Sequence, residues 1–131
     1  MRVFSCLVSL ILMIILDFGW FNITYQRFYS QELPQIFDKV DIAYLPAGLF
    51  YILYATAINF FVIEQNGSDK AKLMLSGMFF GLTAYATYDL TNQATIRTWP
   101  WIVTLVDIAW GSFAGGIVSV MTSLFTGKYE K

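Results

Sequence analysis

Residues 99–125, WPWIVTLVDIAWGSFAGGIVSVMTSLF, form an apolar run that carries one charged residue, Asp107. The run is longer than the ~20 residues that an α-helix needs to cross a hydrocarbon core of about 30 Å. It does not alternate between apolar and polar residues, as a half-buried strand would. We therefore predict a membrane-spanning helix, because a helix satisfies its own backbone polar groups in lipid.

Three further apolar runs precede this one in the chain. The second of the four runs has no charged residue, while the first and the third carry one aspartate each, Asp17 and Asp89. The sequence thus predicts an all-α membrane protein, a four-transmembrane-helix bundle. The predicted spans are approximately residues 3–23, 42–63, 73–92 and 99–125.

The predicted spans form a single integral membrane domain over residues 1–131. The first run lacks a small-residue cleavage site, so we expect it to be retained as a span and not removed as a signal peptide. The short connection 93–98 predicts that the last two helices are antiparallel neighbours. Thr98 and Pro100 fit an N-cap and an early-turn proline at the start of the last helix.

The composition supports lipid as the solvent of this chain. Hydrophobic residues make up 57% and charged residues 13%, against roughly 25% charged residues in soluble domains, and the mean hydropathy is +0.59. Histidine is absent and Cys6 is the only cysteine, which excludes His-ligated metal sites, His-based catalysis and an internal disulfide. We expect no cofactor, no metal site and no catalytic residue. The net charge of −1, without a basic run, excludes nucleic acid as an expected partner and leaves membrane lipids.

The distribution of basic residues predicts the orientation. With four spans both termini lie on one side, and that side carries Arg2, Lys70, Lys72, Lys128 and Lys131. The opposite side carries Arg27, Lys39 and Arg97. The positive-inside rule then predicts that both termini are cytoplasmic.

The three intramembrane aspartates are predicted to lie at a similar depth, on the side opposite the termini. A carboxylate in a span costs at least a few kcal/mol if it is ionised and unpaired, so it normally faces the bundle interior. No Lys or Arg lies within the spans to pair with these acids. We expect them to converge in an acidic and aromatic cavity that opens away from the termini. The predicted cavity residues are Asp17, Trp20, Tyr85, Tyr88, Asp89, Asn92, Asp107 and Trp110.

Glycines recur every four residues beside two of these acids. Such pairs allow close approach of helix backbones in membranes, although they also arise by chance. The predicted helix contact is formed by Gly77, Gly81, Gly111 and Gly115. A shared Asp-x-x-Trp pattern at residues 17–20 and 107–110 resembles an inverted repeat, a device of transporter folds, although two matched residues also arise by chance.

Two short motifs carry a resemblance to a known family. YDLTN at residues 88–92 and DIAWG at residues 107–111 resemble the hallmark of a family of small bacterial inner-membrane proteins of unknown function. The Asp-x-x-Trp motif at 17–20 and the aromatic residues at 50–54 fit the same pattern. The resemblance implies four spans in a bacterial cytoplasmic membrane, and it implies no activity.

The predicted site favours binding or transport of a cation, a proton or a small amphipathic molecule, because carboxylates with aromatic faces bind cations well. Chains this short rarely enclose a pathway alone, so we expect a homodimer or a partner membrane protein.

The alternative function is an accessory or lipid-interacting subunit whose aspartates pack against a partner. A lipid-modifying enzyme, with Asp89 and Asp107 as acid and base, is less favoured because the site lacks His and Cys. The acids could also serve only as hydrogen-bonded packing groups.

Overall fold

The computed structural model describes residues 2–37 and 42–127, and in these ranges all regular structure is helical. The four long helices are α1 (Val3–Thr24), α2 (Tyr44–Ile58), α3 (Lys70–Thr95) and α4 (Trp101–Thr126). Shorter helical segments follow α1 and α2. They are π-helical Tyr25–Tyr29, Ser30–Glu32 and Pro34–Phe37 after α1, and π-helical Asn59–Ile63 and Glu64–Asn66 after α2.

Three continuous helical stretches are long and apolar enough to cross a membrane. They are Val3–Glu32, Tyr44–Asn66 and Trp101–Thr126. Helix α3 is also long enough, at 26 residues, but it is less apolar because its second half carries Asp89 and several Thr, Asn and Gln residues. The described residues therefore fit a multi-pass membrane protein with three apolar helices, and the fourth crossing remains a prediction.

The first helical stretch is longer than the sequence indicates. The predicted first span ends near residue 23, but the helix continues through a π-helical turn to Glu32. The start of the last helix also differs from the prediction. Pro100, and not Thr98, is the N-cap of α4, because Thr98 belongs to a turn in which the Trp99 N–H donates to the Ile96 carbonyl at 3.1 Å.

The helices pack in the order α3, α4, α1, α2, with the most extensive contact between the antiparallel α3 and α4. The π-helical segment Asn59–Ile63 closes the arrangement by contacting both α3 and α4. One end of the bundle, which we call the termini end, brings together the start of α1, the turn between α2 and α3, and the end of α4. There the Lys70 Nζ donates to the Ser123 hydroxyl at 2.9 Å. Lys39, Lys128 and Lys131, which the charge count uses, lie outside the described residues.

Glycines lie where α3 and α4 approach each other. A Cβ added at Gly77 or Gly81 would clash with the carbonyl oxygen of Gly115 or Gly111, respectively. A Cβ at Gly111 would clash with the Tyr85 ring, and one at Gly115 with the Gly77 carbonyl. The two backbones can therefore reach this distance only if these positions lack side chains.

Candidate functional site

Asp17 is held by hydrogen-bond donors from two other helices. The Tyr51 hydroxyl of α2 donates to one carboxylate oxygen at 2.8 Å, and the Trp110 Nε1 of α4 donates to the other at 3.0 Å. Tyr85 of α3 also lies within electrostatic range of this carboxyl. Asp17 is thus a point at which four helices meet, and the donors compensate for its partial burial.

Asp107 is held from the extension of α1. The Tyr29 hydroxyl donates to its carboxylate, and the same hydroxyl accepts a hydrogen bond from the Trp20 Nε1 at 3.2 Å. Trp20 stacks on Trp110, with ring centroids 4.6 Å apart and an interplanar angle of 6°. Because Trp110 bonds Asp17, the stacked pair joins the surroundings of Asp17 to those of Asp107.

Asp89 has different surroundings. It is 0% exposed, and neither of its carboxyl oxygens accepts a hydrogen bond from a described residue. The Asp107 carboxyl lies within electrostatic range of it. Two carboxyl groups can hydrogen-bond each other only when one of them is protonated, because an ionised carboxylate has no donor.

These contacts define one network, which we call the acid cluster. Its members are Asp17, Trp20, Tyr29, Tyr51, Tyr85, Asp89, Asp107 and Trp110. Six of the eight residues named from the sequence for the predicted cavity lie in it. Their role in binding a ligand remains a prediction.

Tyr88 and Asn92, the other two named residues, are not joined to this network by a hydrogen bond or ring contact among the described residues. Tyr88 is 59% exposed and packs edge-on against Trp99, with centroids 5.8 Å apart. It is adjacent in sequence to the buried Asp89, and one residue corresponds to about 100° around a helix. Asn92 is half-buried one turn further along α3.

Tyr29 is a member that the sequence analysis missed. In a regular α-helix, residues nine positions apart lie about 180° apart around the axis, so Tyr29 would face away from Trp20. The π-helical turn Tyr25–Tyr29 accommodates about one extra residue and rotates Tyr29 back by about 100°. No hydrophobic pattern predicts this turn, because the segment YQRFY is mixed in polarity.

A second buried polar network, which we call the hydroxyl cluster, lies toward the termini end. Ser5 donates to the Asn59 side-chain carbonyl, and the Asn59 amide donates to the Ser9 hydroxyl at 2.8 Å and to the Ala55 carbonyl at 2.7 Å. Ser9 and Thr122 share a hydrogen bond at 3.1 Å. The four members, Ser5, Ser9, Asn59 and Thr122, come from three helical stretches and are all buried.

This cluster was not predicted from the sequence, although a signal for it exists. Ser5 and Ser9 are four residues apart, so they lie on one helix face. An uncharged Asn or Ser costs too little in an apolar run to demand a partner, so its position alone does not predict a site.

The two cavities described in the structure lie elsewhere. One, of about 460 Å³, is at the termini end and is lined by Arg2, Phe4, Ser5 and Thr126. The other, of about 500 Å³, is a mainly apolar groove between the π-helical segment Asn59–Ile63 and α3, and its lining residues include Phe61, Leu75 and Phe79. Neither is lined by an acid. Within residues 2–37 and 42–127, no group of three or more Cys, Asp or Glu side chains could hold a metal ion.

Comparison with known proteins adds one finding. The family described as "Predicted membrane protein (DUF2177)" matches residues 2–124. No curated protein and no solved structure matches the chain. The resemblance seen in the sequence, to a membrane protein family of unknown function, is thereby confirmed. Because the match covers nearly the whole chain, this protein belongs to the DUF2177 family of predicted membrane proteins.

Proposed function

We propose that this protein is a four-span protein of the bacterial inner membrane, with both termini cytoplasmic, that binds a proton or a small cation between Asp89 and Asp107. The observation that supports this function is the environment of the Asp89 carboxyl. Its carboxyl is fully buried, it accepts no hydrogen bond from the described residues, and it lies beside a second carboxyl.

Ionised carboxyls inside the bundle are energetically unfavourable. A buried carboxylate without donors costs several kcal/mol, and a second carboxylate beside it raises that cost. Neither helix supplies a basic partner nearby, since Lys and Arg are absent from residues 73–96 and 98–127. A proton between the two carboxyls removes one charge and supplies the missing hydrogen bond. A small cation would neutralise the pair in the same position.

The contacts around the acids favour a small occupant over an amphipathic molecule. Neither described cavity is lined by an acid, and the stacked Trp20 and Trp110 rings join the surroundings of Asp17 and Asp107. A proton or a bare cation needs no preformed cavity. Transport of the bound species across the membrane is the next step of this proposal, and the acid cluster would be its binding site.

Infrared spectroscopy of the purified protein in lipid nanodiscs tests the proposal. A protonated carboxyl has its own carbonyl stretch, and we expect that band in the wild type at neutral pH. Asp89→Asn and Asp107→Asn should each abolish it, because the shared proton needs both carboxyls. If a small cation replaces the proton, the band should instead decrease as that cation is added.

The matched control is Asp69→Asn. Asp69 caps the start of α3 by accepting from the Lys72 N–H at 3.1 Å, and Asn caps a helix about as well as Asp. The band should be unchanged in this variant. A wild type without the band, and without cation-dependent spectral changes at these carboxyls, would contradict the proposed function.

An accessory role with a partner membrane protein, or a homodimer, is the second candidate, and the exposed face of α3 favours it. Thr83, Thr87, Thr91 and Thr95 are exposed there, and each donates its hydroxyl to the carbonyl four residues earlier. Such a threonine face is less suited to lipid than the faces of the apolar helices. Cysteine crosslinking at Thr87 in native membranes would capture a partner or a second copy if this candidate is right.

A further inference from the structure

The interior of the bundle alternates between polar and apolar residues along α1. Ser5, Ser9, Met13 and Asp17 are spaced by four residues and therefore follow one another along one face. The first two belong to the hydroxyl cluster and the last to the acid cluster. Met13, between them, is 0% exposed. Eight residues separate Ser9 from Asp17, which corresponds to about 12 Å along the helix.

The same order occurs on the two neighbouring helical stretches. On α4, the apolar Ala114 and Val118 lie between Trp110 of the acid cluster and Thr122 of the hydroxyl cluster, and both are 0% exposed. On the α2 stretch, Ile58 lies between Tyr51 and Asn59 and is also 0% exposed. Met13, Ile58, Ala114 and Val118 belong to one packed cluster, which we call the Met13 layer.

Tyr54 places a polar hydroxyl group among these apolar side chains. Its side chain is 4% exposed, and its buried hydroxyl has no hydrogen-bond partner among the described residues. It packs in the same cluster as Met13, and it lies within electrostatic range of Asp17 and Tyr85. Buried waters in proteins typically make about three hydrogen bonds to polar groups that otherwise lack partners.

We propose that Tyr54 binds an internal water molecule against Asp17, and that the Met13 layer is the barrier between this water and the hydroxyl cluster on a proton path to the acid cluster. This inference rests on the proposed function, because it gives the bound proton a route toward the termini end. A ring of apolar side chains blocks conduction by excluding water. Met is suited to a barrier that opens, because its unbranched side chain has three rotatable bonds.

Proton flux into liposomes tests the barrier. The protein is reconstituted with a pH-sensitive dye inside the vesicles, and a potassium diffusion potential drives protons inward. Met13→Ser should raise the flux several-fold over the wild type, because a hydroxyl in the layer lets water cross it. Met13→Leu is the matched control and should behave as the wild type, since it keeps the layer apolar at a similar volume.

Val118→Thr is the second variant, in case Met13→Ser impairs folding. It is nearly isosteric and adds one hydroxyl at the same level, so it should also raise the flux. Adding Tyr54→Phe to either variant should bring the flux back toward the wild-type value, because the bound water loses its anchor. If Met13→Ser and Val118→Thr conduct no faster than Met13→Leu, the barrier is refuted. If Tyr54→Phe leaves the raised flux unchanged, the water site is refuted.

The infrared test of the proposed function is independent of this experiment, because it is made with Met13 and Val118 intact. One outcome is a carboxyl band that depends on Asp89 and Asp107 while the flux is unchanged in both layer variants. That result would refute the barrier and would still support the proposed function. Raised flux in the layer variants with no carboxyl signal would overturn the proposed function alone.

Discussion

The acid cluster and the hydroxyl cluster are built on the same helices but differ in how their polar atoms are satisfied. In the hydroxyl cluster each of the four side chains is hydrogen-bonded to another member, and none carries a charge. In the acid cluster three carboxyls share a few donors, and Asp89 receives none from the described residues. A satisfied polar network stabilises a fold, whereas an unsatisfied one is tolerated where function requires it. We therefore expect changes in the first to affect stability and changes in the second to affect binding.

The largest expected effect disrupts the contact between α3 and α4, which holds the acid cluster together. Gly81→Leu places a side chain against the Gly111 carbonyl, which forces α3 away from α4 and so separates Asp89 from Asp107. Overpacking of this kind costs about 1–3 kcal/mol, occasionally more. The apparent melting temperature in detergent should fall strongly, and the carboxyl band should be lost as well.

Gly48→Leu is the control for this substitution, because a Cβ at Gly48 meets no atom within 4 Å. Its melting temperature should stay close to the wild-type value. Equal stability of the two variants would show that the close approach of α3 and α4 does not depend on glycine.

The second-largest effect is a loss of stability that is confined to the hydroxyl cluster. Asn59→Ala removes the bonds to Ser5, Ser9 and Ala55 and leaves a buried hydroxyl without its partner, which costs about 1–3 kcal/mol. The melting temperature should fall while the carboxyl band remains. Asn22→Ala is the control, since Asn22 is exposed and bonds only its own helix, at the Phe18 carbonyl. A lost carboxyl band in Asn59→Ala would show that the clusters are coupled and contradict the comparison.

The smallest effect on stability is expected at the acid cluster itself. Asp89→Asn removes a buried acid that no described donor satisfies, and replacing such groups is often neutral or stabilising. The melting temperature should be unchanged or slightly raised, although the same variant should abolish the carboxyl band. A loss of stability as large as that of Asn59→Ala would make Asp89 a structural residue and remove the distinction between the clusters.

The sequence predicted an all-helical protein with four spans because the length of an apolar run reports the thickness of the bilayer. The helical class is confirmed, and three of the four predicted spans are helices apolar enough to cross a membrane. The sequence was less informative at the ends of helices. The polar segment after residue 25 continues the helix to Glu32, since contacts of Tyr29 with Trp20 and Asp107 override its composition. Pro100 replaces Thr98 as the N-cap of α4 because a local turn takes up Thr98.

The members of the candidate site differ in how far the sequence could identify them. The three aspartates stand out because a carboxylate in lipid has few acceptable environments, and the structure places them in one network. Tyr88 illustrates the limit of a motif: it precedes Asp89 in the chain but points to another side of the helix. The position of Tyr29 depends on a π-helical turn, and the hydroxyl cluster consists of uncharged side chains. Neither feature produces a strong pattern in a single sequence.

The π-helical turn Tyr25–Tyr29 makes the acid cluster sensitive to the number of residues in the chain as well as to their chemistry. A turn of this kind is equivalent to a single-residue insertion into an α-helix. Deleting Gln26, which is exposed, would keep every acid and every aromatic ring of the cluster and still rotate Tyr29 away from Asp107. In a protein of this family, an insertion or deletion between the first apolar helix and Glu32 therefore amounts to a change in the site, even though no site residue is replaced.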